Sequence, residues 1–225
     1  RRRRADRFLN NCSGSGFVNG PQRNVPLPGE LQMHGLLCRS VQVFLRHTYG
    51  RDLWNAVASE AGLEPDGFEP FRHYDDATIF AVLAAAGRRL GKSCDQIVED
   101  VGAHLVGIES FRRLLRFGGA SYEEFLHSID ELPERVRMVV PDLELPEIEV
   151  RMMGPDRFEV VCAAPHHCFC ILLSGVLRAM ADDYGSLALI EFRQGPAGPA
   201  RVSVELLDAR FTCGKDFDLT RPEVR

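Results

Sequence analysis

The feature that most constrains the fold of this sequence is a change in the spacing of its apolar residues near Pro141. Before this point they recur at steps of three and four positions, as on one face of a helix. After it, apolar and polar residues alternate over 148–150 and 158–162, the period of half-buried strands. An apolar run over 168–180 predicts a buried helix, and 187–192 predicts another strand. This order predicts an α+β fold, with a helical N-terminal part packed on a small antiparallel sheet.

Capping residues divide the first part of the chain into separate helices. We predict helices over 35–47 and 51–61, because glycine follows each apolar pattern. Asp75, Ser93 and Ser121 precede further apolar faces, and short polar side chains of this kind cap the first turn of a helix. We therefore interpret the Asp75–Asp76 pair as a helix start rather than as a pair of acid-base catalysts.

The chain divides into three segments by composition. Residues 1–32 carry six arginines against two acidic residues, followed by a stretch rich in Gly, Pro and Asn, and are predicted to be a disordered basic tail and linker. We predict one folded domain over 33–195 and a linker over 196–225, where alternation over 202–206 allows one more strand. The first residue is not Met, so we expect a piece of a longer protein.

Composition excludes several classes of function. A formal net charge of -5 argues against a general nucleic-acid binder, because such proteins need a surplus of Lys and Arg. The longest apolar run, around 168–176, falls short of the roughly 20 residues that span a membrane. We find no signal peptide, and seven cysteines, an odd count, favour a reducing compartment, so we expect a cytoplasmic protein.

Six short motifs in a fixed order give the chain a family resemblance. They are Met33-His34-Gly35-Leu36, Tyr49-Gly50 with Trp54, Tyr74-Asp75-Asp76, Phe125-Leu126-x-x-Ile129-Asp130-x-Leu132, Pro141-x-Leu143 and Pro146. In this order they resemble the H-NOX domains, the haem nitric-oxide/oxygen-binding domains of soluble guanylate cyclases and bacterial gas sensors, over 33–195. The resemblance implies a regulatory domain in cGMP signalling, with 196–225 as a linker or the start of a PAS-like module. It implies that this fragment is not itself an enzyme and that the cyclase catalytic domain lies outside it.

The resemblance also implies haem as the cofactor, but its ligand positions are altered. The family's iron-ligating histidine follows the Leu-Asp-x-Leu run, and here that position is Pro133, which has no side-chain donor. The family's propionate-binding Tyr-x-Ser-x-Arg motif falls on Cys162, Ala164 and His166. A neutral imidazole replaces the forked guanidinium that matches a carboxylate. We therefore expect haem to be lost or weakly bound.

A helix at Pro133 and an apolar pocket can both persist if haem is lost. Proline is favoured in the first turn of a helix, so Pro133 can begin one, with Asp130 as the candidate cap. The resemblance places Leu37 and Leu105 on the distal side of the pocket and Pro141 on the proximal side. Such an apolar pocket would collapse or hold another apolar ligand.

Two alternative sites stay open. Cys162, His166, His167, Cys168 and Cys170 form the densest group of donor side chains, although their spacing matches no standard zinc pattern. A thiol at a helix start is activated, so this group could also sense oxidants. The chain could instead be a haem-binding gas sensor with an iron ligand that the family does not use.

Five other basic residues are interpreted as ordinary structure. His127 precedes Pro133 by six positions and should point to another side of a helix, and the resemblance places His104 near the distal wall. Arg112, Arg113 and Arg116 are predicted to form the solvated face of a helix.

The resemblance finally implies a partner. Heterodimeric cyclases pair a haem-binding subunit with one whose equivalent domain lacks haem, and this chain resembles the second kind. We expect it to act in assembly or signal transmission with other domains or a subunit of a guanylate cyclase. We expect the dimer to form through regions outside this fragment, with no nucleic-acid partner and no membrane span.

Overall fold

The structure, a computed structural model, describes residues 32–163, 167–194 and 199–208. It begins with a two-stranded antiparallel ribbon of β1 (Gln32–His34) and β2 (His73–Asp75). The helices before the sheet are α1 (Gly35–Tyr49), α2 (Arg51–Ala61), α3 (Asp76–Leu90), α4 (Cys94–Val106), α5 (Glu109–Arg116), α6 (Tyr122–His127) and α7 (Leu132–Val139). The predicted helix over 51–61 is confirmed at both ends, and α1 runs two residues past the predicted 47.

The helix starts follow the sequence signals in part. Ser93 caps α4 in a reciprocal capping box: the Ser93 hydroxyl accepts from the Gln96 backbone N–H, and Gln96 Oε1 accepts from the Ser93 backbone N–H. Ser121 accepts a hydrogen bond from the backbone of Glu124 at the start of α6. Asp75 precedes α3, but its side chain makes no capping hydrogen bond to the described backbone.

Pro133 lies in the first turn of α7, as proline's fixed φ and missing N–H predict. The predicted cap Asp130 is wrong. It lies inside a 3-10 turn (Ile129–Glu131), and α7 begins after Glu131. The preceding turn leads directly into the helix, so no extended capping residue is needed there.

The second part of the fold is a four-stranded antiparallel sheet covered by α8 (Cys168–Tyr184). Its strands are β3 (Ile148–Gly154), β4 (Arg157–Cys162), β5 (Leu187–Gln194) and β6 (Ala200–Asp208), in the order β3-β4-β6-β5. Because β6 pairs with both β4 and β5, the sheet continues past the predicted domain boundary at 195. The prediction of a linker from 196 rests on the glycine and proline that precede β6 in the sequence.

Apolar side chains form two clusters that meet at α8. The first joins α1 to α4 around Trp54, which is 1% exposed. The second joins α6, α7, α8 and the inner face of the sheet. Helix α8 contributes Ile171 to the first cluster and Leu173 to the second, so it contacts both halves of the domain. Within the described ranges, no helix is long and apolar enough to cross a membrane.

Two glycines allow α4 and α8 to approach closely. A Cβ atom on Gly102 would lie 2.0 Å from the carbonyl oxygen of Leu172, and one on Gly175 would lie 2.0 Å from that of Glu99. No side chain larger than hydrogen fits at such distances. The glycine pair therefore fixes the spacing of the two helices.

The predicted solvated face of α5 is wrong for two of its three arginines. Arg112 lies 2.6 Å and Arg116 2.7 Å from the carboxylate of Asp183 on α8. The Arg116 guanidinium also stacks at 3.8 Å from the centre of the Tyr184 ring. Arg113 alone remains half-exposed, paired with Glu109 one turn earlier. Helical periodicity identified the polar face of α5 but not that a carboxylate of another helix covers it.

Candidate functional site

A cavity of about 790 Å³ lies where α1, α3, α4 and α8 meet the segment 141–146. This volume is within the range of small-molecule pockets, about 300 to 1,000 Å³. Most of its wall is apolar. Its larger aliphatic contributors are Leu37, Val41, Ile79, Leu83, Val101, Leu105 and Leu172.

The three predicted pocket residues all lie in this wall. Leu37 comes from α1, Leu105 from α4 and Pro141 from the segment that follows α7. The cavity therefore lies between the elements on which the resemblance places the two sides of a ligand pocket.

Pro133 does not contribute to the described wall of the cavity. It is buried in the first turn of α7, between Leu132 and the helix body. It is not among the described residues that form the wall. Leu132 and Val136 pack into the core of the sheet-bearing half. Helix α7 is thus held in the fold by apolar packing.

The predicted propionate motif falls on the end of β4 and the residues after it. Cys162 is buried in the core, while the next residue, Ala163, lines the cavity. Neighbouring residues of an extended chain point to opposite sides, so only one of the two can face the cavity. Ala164 and His166 lie outside the described residues.

The candidate metal group is only partly brought together. Cys168 lines the cavity, Cys170 is buried in the core, and His167 lies 3.6 Å from Asp95 of α4. Over 32–163, 167–194 and 199–208, no three His, Cys, Asp or Glu side chains are arranged to hold a metal ion. His166 is outside these ranges.

Cys162 and Cys170 form a pair of thiols in the core. A hydrogen bond between the two side chains raises the pKa of Cys162 and lowers that of Cys170, while burial favours the neutral form of both. Both side chains are at most 1% exposed. The pair is therefore placed for contact with each other but not with solvent.

Sequence reasoning missed the histidines of the cavity. His34 is 6% exposed and lies in the wall with His73, its partner in the β1–β2 ribbon, with the ring centres 5.2 Å apart. Burial and the neighbouring His73 lower the pKa of His34, although Asp142 opposes this effect. The Met33-His34-Gly35-Leu36 motif contained His34, but its spacing gave no sign of a second histidine 39 positions away.

The hydrogen bonding of His34 determines which of its nitrogens carries a proton. Its Nδ1 accepts a hydrogen bond from the Leu36 backbone at 3.2 Å and so caps α1. In the neutral ring, the hydrogen must then be on Nε2. A nitrogen that carries hydrogen cannot donate a lone pair to iron, so ligation by His34 would require the cap to break.

The other polar residues of the wall are mainly acidic. Asp76, at the start of α3, is 3% exposed, and Asp142 and Glu144 come from the segment after α7. Among the described residues that form the wall, none is Lys or Arg. These carboxylates were also missed, because nothing in the local sequence places 142–144 beside β1.

The two remaining histidines of interest lie elsewhere. His127 is exposed and packs edge-on against Phe158 at 5.3 Å between ring centres. His104 packs between Phe44 and His47, at 5.5 and 5.4 Å. Within the described part of the wall, neither residue contributes to the cavity.

Fold and cavity together define a class of protein: an α+β domain with helices and sheet on two sides of a ligand-sized pocket. The Haem-NO-binding family model matches residues 34–191. The chain belongs to this family, the H-NOX domains, which are haem-binding sensor domains rather than catalytic ones. The fold class and the resemblance to H-NOX domains are thereby confirmed.

Relatives support the same assignment. Soluble guanylate cyclase 89Db of Drosophila melanogaster is 23% identical over 197 residues, covering 83% of this chain and 29% of that protein. Soluble guanylate cyclase gcy-31 of Caenorhabditis elegans is 23% identical over 117 residues, covering 51% of this chain and 17% of its own length. The chain spans less than a third of either relative.

Solved structures share the fold. An H-NOX variant of T. tengcongensis superposes with a TM-score of 0.65 at 20% identity, covering 80% of this chain and 100% of that one. An unliganded Fe(II) H-NOX variant from K. algicida gives a TM-score of 0.68 at 16% identity, covering 80% and 99%. An oxygen-binding H-NOX domain related to soluble guanylate cyclases gives 0.62 at 20%, covering 82% and 100%.

The described residues fit the volume of a haem but not its chemistry. The cavity is large and apolar enough, yet Pro133 offers no iron ligand and the hydrogen bond of His34 occupies its Nδ1. The described wall also offers the exposed carboxylates of Asp142 and Glu144, and no Lys or Arg that would pair with the two anionic propionates. Anions in a partly buried site need donors or cations to replace water.

Proposed function

We propose that this chain is a regulatory sensor-type domain of a soluble guanylate cyclase-like protein in which haem is lost or weakly bound. It acts in cGMP signalling through assembly or signal transmission. The observation that carries the proposal is a proline, Pro133, in the first turn of an intact α7, at the position where the resemblance places the family's iron-ligating histidine.

The retained packing supports a role that needs the fold without the iron. Leu132 and Val136 anchor α7 in the same core as α8 and the sheet. The packing of α7 therefore depends on residues other than the one that the resemblance assigns to iron ligation.

The partners proposed are other domains or a subunit of the same cyclase. The relatives are named as soluble guanylate cyclases, and this chain matches only a fraction of their length. We propose that the catalytic domain and the dimer contacts lie in the remaining part, and that the assembly is cytoplasmic.

Reconstitution with haemin tests the proposal. The 225-residue chain is incubated with haemin, passed over a desalting column to remove free haem, and its absorption spectrum is recorded before and after nitric oxide. We expect no stoichiometric Soret band after desalting. A sharp band that survives desalting and shifts with nitric oxide would overturn the proposal and favour a gas sensor with an iron ligand that the family does not use.

The hydrogen-bonded thiols of Cys162 and Cys170 favour one alternative, a thiol sensor. Hydrogen peroxide could oxidise the pair to a disulfide, with two electrons and two protons passing to peroxide to give water. Mass spectrometry after treatment with mild peroxide distinguishes the thiol sensor from the proposed regulatory domain, with Cys170→Ser as the control. Burial predicts no disulfide in the native chain, whereas its rapid formation in the native chain alone would favour the thiol sensor.

Elemental analysis tests the remaining alternative, a metal sensor at Cys162–Cys170. We expect no stoichiometric zinc, because the Cys162 and Cys170 sulfurs face the core and Cys168 faces the cavity. One zinc per chain, lost in a Cys168→Ser variant, would favour the metal sensor.

A further inference from the structure

The cavity has a polar end and an apolar body. His34 and His73 meet in the β1–β2 ribbon, and Asp142 is close enough to His34 to act on its charge. Asp76 follows β2 directly, so it belongs to the same end. The wall contributed by α4 and α8 is aliphatic and aromatic.

The charged side chains at the described polar end are acidic, which gives it a negative potential. Asp142 and Glu144 are exposed carboxylates, and the described wall contains no Lys or Arg to balance them. Burial and the neighbouring His73 lower the pKa of His34, which disfavours a positive charge on its imidazole. Concave sites with low-dielectric walls focus such a potential on whatever enters.

We propose that this cavity binds a hydrophobic amine, with its apolar body against Leu83, Val101 and Leu172 and its protonated nitrogen at the carboxylates of Asp142 and Glu144. The inference rests on the proposed function, since haem would occupy the same space. It goes further by assigning the cavity a ligand class of the opposite charge to the haem propionates.

A pair of probes that differ only in the charge of the head group tests this ligand class. Decylamine and decanoate have the same chain length and opposite charge at pH 7. Each is titrated into the 225-residue chain by isothermal titration calorimetry, below the concentration at which it forms micelles. We expect decylamine to bind at least about tenfold more tightly than decanoate. The carboxylates of Asp142 and Glu144 attract the ammonium group of decylamine and repel the carboxylate of decanoate.

Substitutions of Asp142 and Glu144 test whether these two carboxylates cause the preference for the amine. Asp142→Asn and Glu144→Gln together should reduce the ratio of the two affinities to within about threefold, since the source of the potential is removed. Glu147→Gln is the matched control, because Glu147 is an exposed carboxylate of the same segment that lies outside the described wall. This control should leave the ratio unchanged.

A filled cavity tests the position of the apolar body. Val101→Phe should weaken decylamine at least about tenfold by occupying the space. Should this variant fail to unfold cooperatively, Leu37→Phe on the opposite wall replaces it. Tight decylamine binding in a folded, filled variant would overturn the inference.

The outcomes separate the two proposals. Equal or tighter binding of decanoate overturns the amine site, as does failure of both probes to bind. Both results leave the haem-free assignment standing if haemin is also not retained. Retention of haem with displacement of decylamine overturns the proposed function itself.

Discussion

At the scale of single residues, two arginines on one helix have opposite environments. The side chain of Arg116 is 10% exposed and shares the carboxylate of Asp183 with Arg112. Arg113, three positions earlier, is 36% exposed and pairs with Glu109 on the same helix. Removing one partner of a buried ion pair leaves the other charge without compensation, whereas exposed pairs contribute little.

We therefore expect Arg116→Ala to lower the free energy of unfolding by about 3 kcal/mol. The loss of its stacking on Tyr184 adds to the effect. Arg113→Ala, the matched control, should change it by less than about 0.5 kcal/mol. Urea denaturation of both variants measures the difference, and equal losses would show that the Asp183 network does not hold α5 to α8.

Residue-level predictions from the sequence were accurate for some local signals and not for others. Pro133 lies in the first turn of α7 and Ser93 caps α4, but Asp75 makes no capping hydrogen bond to the described backbone. Asp130 lies inside the turn before α7 rather than at its cap. The cavity rim could not be predicted, because His34 meets Asp142 across more than a hundred positions of sequence. Only the tertiary fold brings such groups together.

At the scale of elements, the contact between α4 and α8 depends on Gly102 and Gly175. The apolar periodicity predicted both helices. It did not predict that their backbones approach too closely for a Cβ atom to fit at these two positions. A methyl group at Gly102 would lie 2.0 Å from the carbonyl oxygen of Leu172. The Leu172 backbone cannot shift without moving α8, which contributes side chains to both apolar clusters.

Gly102→Ala should therefore destabilise the fold by at least about 2 kcal/mol, the cost of overpacking a close contact. Gly107→Ala is the control, because its Cβ would meet only the carbonyl of His104 in the preceding turn, at 3.1 Å. Thermal unfolding followed by circular dichroism compares the two. A Gly102→Ala variant as stable as the control would mean that the helices can separate without cost.

At the scale of the whole molecule, the sheet closes the domain through its last described strand. Strand β6 lies between β4 and β5, and its Val202 and Val204 are at most 1% exposed. The alternation over 202–206 did indicate a strand. The sequence could not show its central place, because strand order depends on pairing between distant segments.

A chain that ends at Gln194 should consequently fail to unfold cooperatively, since β4 and β5 lose the strand that joins them. A chain that ends at Asp208 is the comparison, because it keeps β6. Differential scanning calorimetry measures both. Identical transitions in the two chains would show that β6 is dispensable and that the domain ends near 195.

The most direct test of the proposed function is to place a histidine at Pro133, where we propose that the iron ligand has been lost. Pro133→His and Pro133→Ala are compared with the native chain by their absorption spectra after incubation with haemin and desalting. We predict at least about tenfold tighter haem retention in Pro133→His than in Pro133→Ala, because only histidine supplies a donor. We also predict that the Soret band of Pro133→His shifts with nitric oxide. Haem held by the native chain as tightly as by Pro133→His would contradict the proposed function.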